Sequence, residues 1–225
     1  MISVVCPVTN WVPVGISTRQ TDILWLQIFI PVGSIYCSFR MSMRSFVSVD
    51  VSIKDSINEL QNRIFMEEDW KTDQIKPVEG QNLHFTIIFL GEISSETTDI
   101  LRSQLSSLVF QPFTVIYKGL GVFPSIANPR IVWMGTDVEG GEKLINLYQK
   151  VAACIKVSGL VPDKPFIPHV TLFRIKNRRL RMSNMLAKYN DLKFGSDFID
   201  RIHLKKSQLT QNGSIYSDIL TVYGR

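Results

Sequence analysis

Apolar positions along the chain switch repeatedly between a period of two and a period near three and a half. In "RSFVSVDVS" (44–52) Phe46, Val47, Val49 and Val51 mark a β-prone run, and "SIKDSINELQNRIF" (52–65) then sets Ile53, Ile57, Leu60 and Ile64 at helical spacing. "LHFTIIFLG" (83–91) reads as a strand stopping at Gly91. "SSETTDILRSQLSSLVF" (94–110) opens on a Ser/Thr/Glu capping pattern and places Ile100, Leu101, Leu105 and Leu108 on one helical stripe. "FTVIYKGLGVF" (113–123) predicts a strand leading into a glycine-punctuated turn, and "PRIVWMGT" (129–136) predicts another strand. "GGEKLINLYQKVAACIKVSG" (140–159) predicts a long helix ended by Gly159. "HVTLFRI" (169–175) is again β, and "NMLAKY" (184–189) is a short helix. "FIDRIHLKKSQL" (198–209) and "SIYSDILTVYG" (214–224) form two strands across a "TQNG" turn. Strand–helix–strand therefore occurs twice, which predicts an α+β fold of two similar lobes.

The first 42 residues differ from the rest. They carry three charges, Arg19, Asp22 and Arg40, and an apolar run "ILWLQIFIPVGSIYCSF" (23–39). That run is short for a membrane span and is interrupted by Gln27, Pro31 and Gly33. No basic stretch precedes it, as a secretory signal would require. "MSMRSFVSVDVS" then reads like a fresh start at Met41 or Met43. The expected organisation is an atypical extension over 1–42, from a misassigned start, and a two-lobed domain over 43–225. A tail packed on the domain and a weak membrane anchor are the alternatives.

A chain of 225 residues with 45% hydrophobic and 10% aromatic content can bury a substantial core. Its formal charge of +5 is unevenly spread. Between Arg174 and Lys206 ten Lys/Arg stand against three Asp, a local charge of +7 that leaves −2 for the remainder. Such a window is the footprint of a phosphate-rich ligand or a solvated basic face. Cys6, Cys37 and Cys154 make neither a CxxC pair nor a metal-site spacing, so a reducing, cytoplasmic setting is expected. "KGLGVF" lacks the spacing and the Lys-Ser/Thr of a phosphate loop.

Two of only three histidines share one short pattern. His84 and His169 are each followed two residues later by Thr, Thr86 and Thr171, and then by an apolar residue. With Thr at about 5% of residues, that coincidence has a chance of roughly 0.3%. Side chains at i and i+2 of a strand share a face, so each His points with its Thr while Phe85 and Val170 point into a core. Two such strands facing each other would surround one small anion with two imidazoles and two hydroxyls. That set suits phosphoester chemistry without a metal: one neutral His takes a proton from water while the other, protonated, supplies one to the leaving alkoxide. The hydroxyls can donate to non-bridging oxygens. A metal site fits poorly, since Thr is a weak ligand and three scattered His are too few. His203, with Lys205 at the second position, reads as structural or peripheral. Arg130 before its strand, and Phe46 and Phe123 as flanks for a base, are weaker candidates for substrate contact.

"HFTI" and "HVTL" resemble the paired HxTx motifs of the two-histidine phosphoesterases, and more specifically the RNA 2′,3′-cyclic phosphodiesterases once named 2′–5′ RNA ligases. "MRSFVSVDVS" resembles that family's opening strand, "LHFTIIFLGEI" its first motif, "PRIVWMG" its middle strand and "PFIPHVTLFR" its second motif, over about residues 43–223. The resemblance implies two lobes of antiparallel sheet with flanking helices around a central cleft. It implies His84 as proton donor and His169 as acceptor, Thr86, Thr171 and Arg174 on the phosphate, and no cofactor or metal. The implied partner is an RNA with a 2′,3′-cyclic phosphate end, opened to a 2′-phosphate by a monomer without stable membrane association. Ligation at the same site and a non-catalytic RNA-end-binding module are the alternatives. Arg174 is at an odd offset from His169, which in a regular strand would put it on the opposite face.

Overall fold

The computed structural model describes residues 42–162, 165–176, 180–211 and 213–225. The expected extension lies outside the described residues, apart from Ser42, as do Arg178 and Arg179 of the basic window. In chain order the elements are β1 (Ser42–Asp50), α1 (Lys54–Glu67), β2 (Ile75–Pro77), β3 (His84–Ser94), α2 (Ser95–Ser106), β4 (Phe113–Phe123), β5 (Ile131–Thr136), α3 (Val138–Lys156), β6 (Val170–Ile175), α4 (Ser183–Tyr189), β7 (Lys193–Ile199), β8 (Arg201–Thr210) and β9 (Gly213–Tyr223). The expected α+β class holds.

Among the described residues every strand pairing is antiparallel, along the path β7-β4-β5-β6-β3-β1-β8-β9, with β2 added to β6. Two half-sheets follow from that order: β3-β1-β8-β9 in one lobe and β6-β5-β4-β7 in the other. They meet where β3 pairs β6 through a single register pair, Phe85 opposite Val170. Both residues are fully buried, and the Phe85 ring stacks on Tyr117 at 5.8 Å and 6°. The helices cover the apolar faces: α1 lies against β6 and β7, α2 against β3 and β9, and α3 against β3 and β4.

Several elements differ from their sequence expectation, each for a local reason. β3 continues beyond Gly91 to Ser94, because Gly91 (φ +69°) takes a bulge opposite Ser45 and does not end the strand. β4 runs unbroken through "KGLG"; at Gly121 a Cβ would sit 2.1 Å from the Trp133 ring, so that glycine makes room for the indole and does not form a turn. In α2, Leu101 and Leu105 are buried but Ile100 is 45% exposed. Its inward place goes to Thr98, whose hydroxyl donates to the Ser94 carbonyl at 2.8 Å. The run expected as one strand over 198–209 is split at Asp200, since β7 pairs β4 at one end of the sheet and β8 pairs β1 in the other lobe. Buried Asp197 ties the split together: it accepts from the Tyr117 hydroxyl at 2.6 Å, from the Ser52 N–H at 2.8 Å and from the Ser52 hydroxyl.

Candidate active site

The strands that meet at the lobe junction carry the same burial pattern from their histidines onward. His84, Phe85, Thr86, Ile87, Ile88 and Phe89 read half-buried, buried, half-buried, buried, buried, exposed; so do His169, Val170, Thr171, Leu172, Phe173 and Arg174. Two successive buried residues break the strand alternation in both copies. In β6 the cause is a bulge: Trp133 of β5 pairs Thr171 and Val132 pairs Phe173, leaving Leu172 as the extra residue. In β3 the equivalent bulge leaves Ile87 extra, between the pairs Thr86–Ser48 and Ile88–Val47. The bulge flips side-chain parity, so Arg174 comes back to the face of His169 and Thr171 despite its odd offset, and Phe89 returns to the face of His84. The Leu172 carbonyl is held by the Gln61 side chain of α1 at 2.7 Å and by the Val78 N–H at 2.8 Å. Gln61, itself buried, also donates to the Val78 carbonyl at 2.9 Å.

A cleft of about 370 Å³ results, and His84, Thr86, His169, Thr171, Arg174 and Phe46 all line it. Continuing the Phe85–Val170 register one residue in each direction would set His84 opposite Thr171 and Thr86 opposite His169. Each imidazole is fixed in the same way. Nδ1 of His84 lies 2.8 Å from the Asn82 carbonyl, and Nδ1 of His169 lies 2.7 Å from the Ile167 carbonyl. A carbonyl only accepts, so each Nδ1 carries a proton and each Nε2 is left for the cleft. Aromatic rings wedge both imidazoles: Phe46 at 5.1 Å and Tyr216 at 5.4 Å from His84, Phe123 at 5.1 Å and Trp133 at 6.2 Å from His169. Phe46 is almost wholly buried, so it presents a ring to His84 as wall more than as an open platform.

Burial dominates the electrostatics of both histidines. It pushes His84 down to about 4, against the opposing pull of the Asn82 carbonyl and of Asp50, with Lys205 and Arg174 adding to the depression. His169 is lowered for the same first reason, with the Ile167 carbonyl opposing. Behind His84, on the same sheet face, lies a charge network that the sequence did not reveal. Lys205 Nζ contacts Asp50 at 2.9 Å and Asp218 at 2.7 Å. Burial works against the Lys205 ammonium, but Asp218 and Asp50 outweigh it and hold its pKa above the ordinary lysine value. His203, read from the sequence as structural or peripheral, is buried in this network, with Nδ1 3.1 Å from the Thr221 hydroxyl and 3.2 Å from Asp218.

Arg130 is exposed at the turn before β5 and is not part of the cleft lining. Among the described residues the basic window does not form one face. Lys193 is on β7 and Lys206 on β8, in different lobes; Lys188 pairs Glu67, Arg201 pairs Asp200, and Lys205 is buried between its two aspartates. Site-lining residues missed from the sequence include Asn82, Phe89, Ser207, Ser214 and Tyr216. Only Phe89 carried a signal, as the counterpart of Arg174 five residues after its motif histidine. Among the described residues no group of three or more His, Cys, Asp or Glu is arranged to hold a metal, and no helix is long and apolar enough to cross a membrane.

The LigT like Phosphoesterase family model matches residues 47–133 and 135–216. A protein of Aquifex aeolicus named RNA 2′,3′-cyclic phosphodiesterase is 40% identical over 186 residues, covering 80% of this chain and 97% of the relative. One of Archaeoglobus fulgidus with the same name is 38% identical over 177 residues, covering 79% and 98%. Among solved structures, TT0787 of Thermus thermophilus superposes with a TM-score of 0.64 at 26% identity, over 80% of this chain and 97% of that one.

Proposed function

The chain belongs to the LigT-like phosphoesterases, and on that premise we propose that it is an RNA 2′,3′-cyclic phosphodiesterase, a hydrolase that opens a terminal cyclic phosphate to a 2′-phosphate. The observation that carries the reading at residue level is the pairing of two equally tethered imidazoles, with two Thr hydroxyls and Arg174, around one small cleft. In this reading Nε2 of His169 takes a proton from the attacking water. The water oxygen bonds to phosphorus, the bond from phosphorus to the 3′-oxygen breaks, and His84 gives its Nε2 proton to that oxygen. Arg174, Thr86 and Thr171 hold the non-bridging oxygens while phosphorus is five-coordinate. Turnover leaves His84 neutral and His169 protonated, and exchange with solvent resets the pair.

No step in this scheme requires a metal ion. Purified protein should hydrolyse a 2′,3′-cyclic nucleotide in excess EDTA, and His84→Ala and His169→Ala should each lose roughly 10²–10⁴ in rate while remaining folded. Near-normal turnover by either variant, or activity lost in EDTA and restored by a divalent ion, would refute the acid–base assignment.

A further inference from the structure

The catalytic cleft does not end at the histidines. A second hollow of about 480 Å³ adjoins it, and Asn82, Arg174, Ser214 and Tyr216 line both spaces. Its far wall is β2, the three-residue strand that the sequence pattern did not reveal. Lys76 is at the centre of β2, opposite Arg174 of β6 in the antiparallel register. Cross-strand neighbours lie about 5 Å apart at Cα and project from the same face, so the two cations form an adjacent pair. The Lys76 ammonium reaches towards the β8–β9 turn, within 3.9 Å of where a Cβ on Gly213 would be. Lys76 and the Gly213–Tyr216 end of β9 therefore line the second hollow together.

We propose that this second hollow, with Lys76 as its cation, is the subsite for the nucleotide on the 5′ side of the cyclic phosphate, and that Lys76 holds the phosphodiester joining that nucleotide to the reacting one. The inference rests on the function proposed above and adds the direction in which the RNA leaves the cleft. Arg174, shared by both spaces, sits at the reacting phosphorus. Lys76, its neighbour on the adjacent strand, meets the next phosphate along the chain. A lysine suits that role, since a compact and strongly hydrated charge on a flexible stem binds a phosphodiester without demanding a base. Glu79 also borders the hollow; its carboxylate accepts from the Gln81 side chain at 2.9 Å and keeps its negative charge, so the phosphodiester is placed at the Lys76 end. Lys76 and Arg174 are thus neighbouring cations where the two spaces join.

The test compares adenosine 2′,3′-cyclic phosphate with the dinucleotide ApA ending in a 2′,3′-cyclic phosphate. Wild type, Lys76→Ser and Lys76→Arg are assayed at several salt concentrations. The dinucleotide-to-mononucleotide ratio of kcat/KM should fall about 5–20-fold in Lys76→Ser and be largely recovered in Lys76→Arg, the size expected of one lost phosphate contact. The salt dependence of the dinucleotide reaction should lose roughly the 0.7 of slope that one phosphate contributes on a single strand. An unchanged ratio or an unchanged slope would overturn the proposal. Binding of the two 2′-phosphate products, measured by calorimetry, separates the two readings. If wild type hydrolyses neither substrate, the proposed function fails; the subsite then stands or falls on whether Lys76→Ser weakens binding of the dinucleotide product more than that of the mononucleotide.

Discussion

The buried state of the two histidines sets the pH at which the protein should work, and substrate should move it. Lowering His84 from 6.5 to about 4 makes its imidazolium costlier by about 3 kcal/mol. With that value roughly one molecule in a thousand carries the His84 proton at pH 7, so the free protein is poorly prepared to donate. A phosphate monoanion about 4 Å from the imidazolium, at an effective dielectric constant near 20, contributes about 4 kcal/mol in the opposite sense. The two effects nearly cancel, and the anion wins by a small margin. Substrate binding should therefore bring His84 back to about the ordinary histidine range and raise His169 with it. Initial rates between pH 4 and 9 on a cyclic mononucleotide would resolve the profiles of kcat/KM, which reports the free protein, and kcat, which reports the complex. Both limbs of the kcat/KM bell are expected below pH 6.5, and the kcat bell should be displaced upward, by roughly two to three pH units for the limb that His84 governs. Superimposable profiles, or a kcat/KM bell centred above pH 7, would refute the argument that burial controls these groups.

Three further outcomes follow from the supporting structure. Gln61→Met removes the side-chain hydrogen bonds to Leu172 and Val78, and should cost about 1–3 kcal/mol in urea unfolding while raising KM as the bulge that aims Arg174 loosens; an unchanged unfolding midpoint would contradict this. Asp197→Ala strips the buried Tyr117 hydroxyl and the Ser52 donors of their acceptor, and should destabilise by roughly 2–4 kcal/mol with kcat retained in the folded fraction, as thermal melts and rates together would reveal. A protein lacking residues 1–41 should fold and hydrolyse a cyclic phosphate, because β1 begins at Ser42 and the family match at residue 47; aggregation or loss of activity would assign that segment a structural part.

The sequence by itself determined the elements whose period is regular and whose partners are local. The His-x-Thr pairs could be placed on strand faces because alternation needs no partner strand, and α1, α3 and α4 were legible because their apolar spacing is their own. It also carried the duplicated motif from which two lobes and a shared anion site follow. What it left open depends on pairing between strands distant in the chain. The odd offset of Arg174 is resolved only by a bulge, and a bulge exists only relative to the strand it faces; in the sequence Leu172-Phe173 and Ile87-Ile88 are merely two adjacent apolar residues. The split of 198–209 into β7 and β8 depended on which neighbours were available at each end of the sheet. Asp50, His203, Lys205 and Asp218 look like unrelated surface residues along the chain, and became one network, with His203 and Lys205 buried in it, because β1, β8 and β9 bring them together. Positive charges that cluster between Arg174 and Lys206 in the sequence fall on different lobes where they are described, as Lys193 on β7 and Lys206 on β8 do, while Lys76, a lysine in an unrecognised strand, was carried to the side of Arg174. Side-chain parity within a strand is a local property; register between strands is a property of the whole fold.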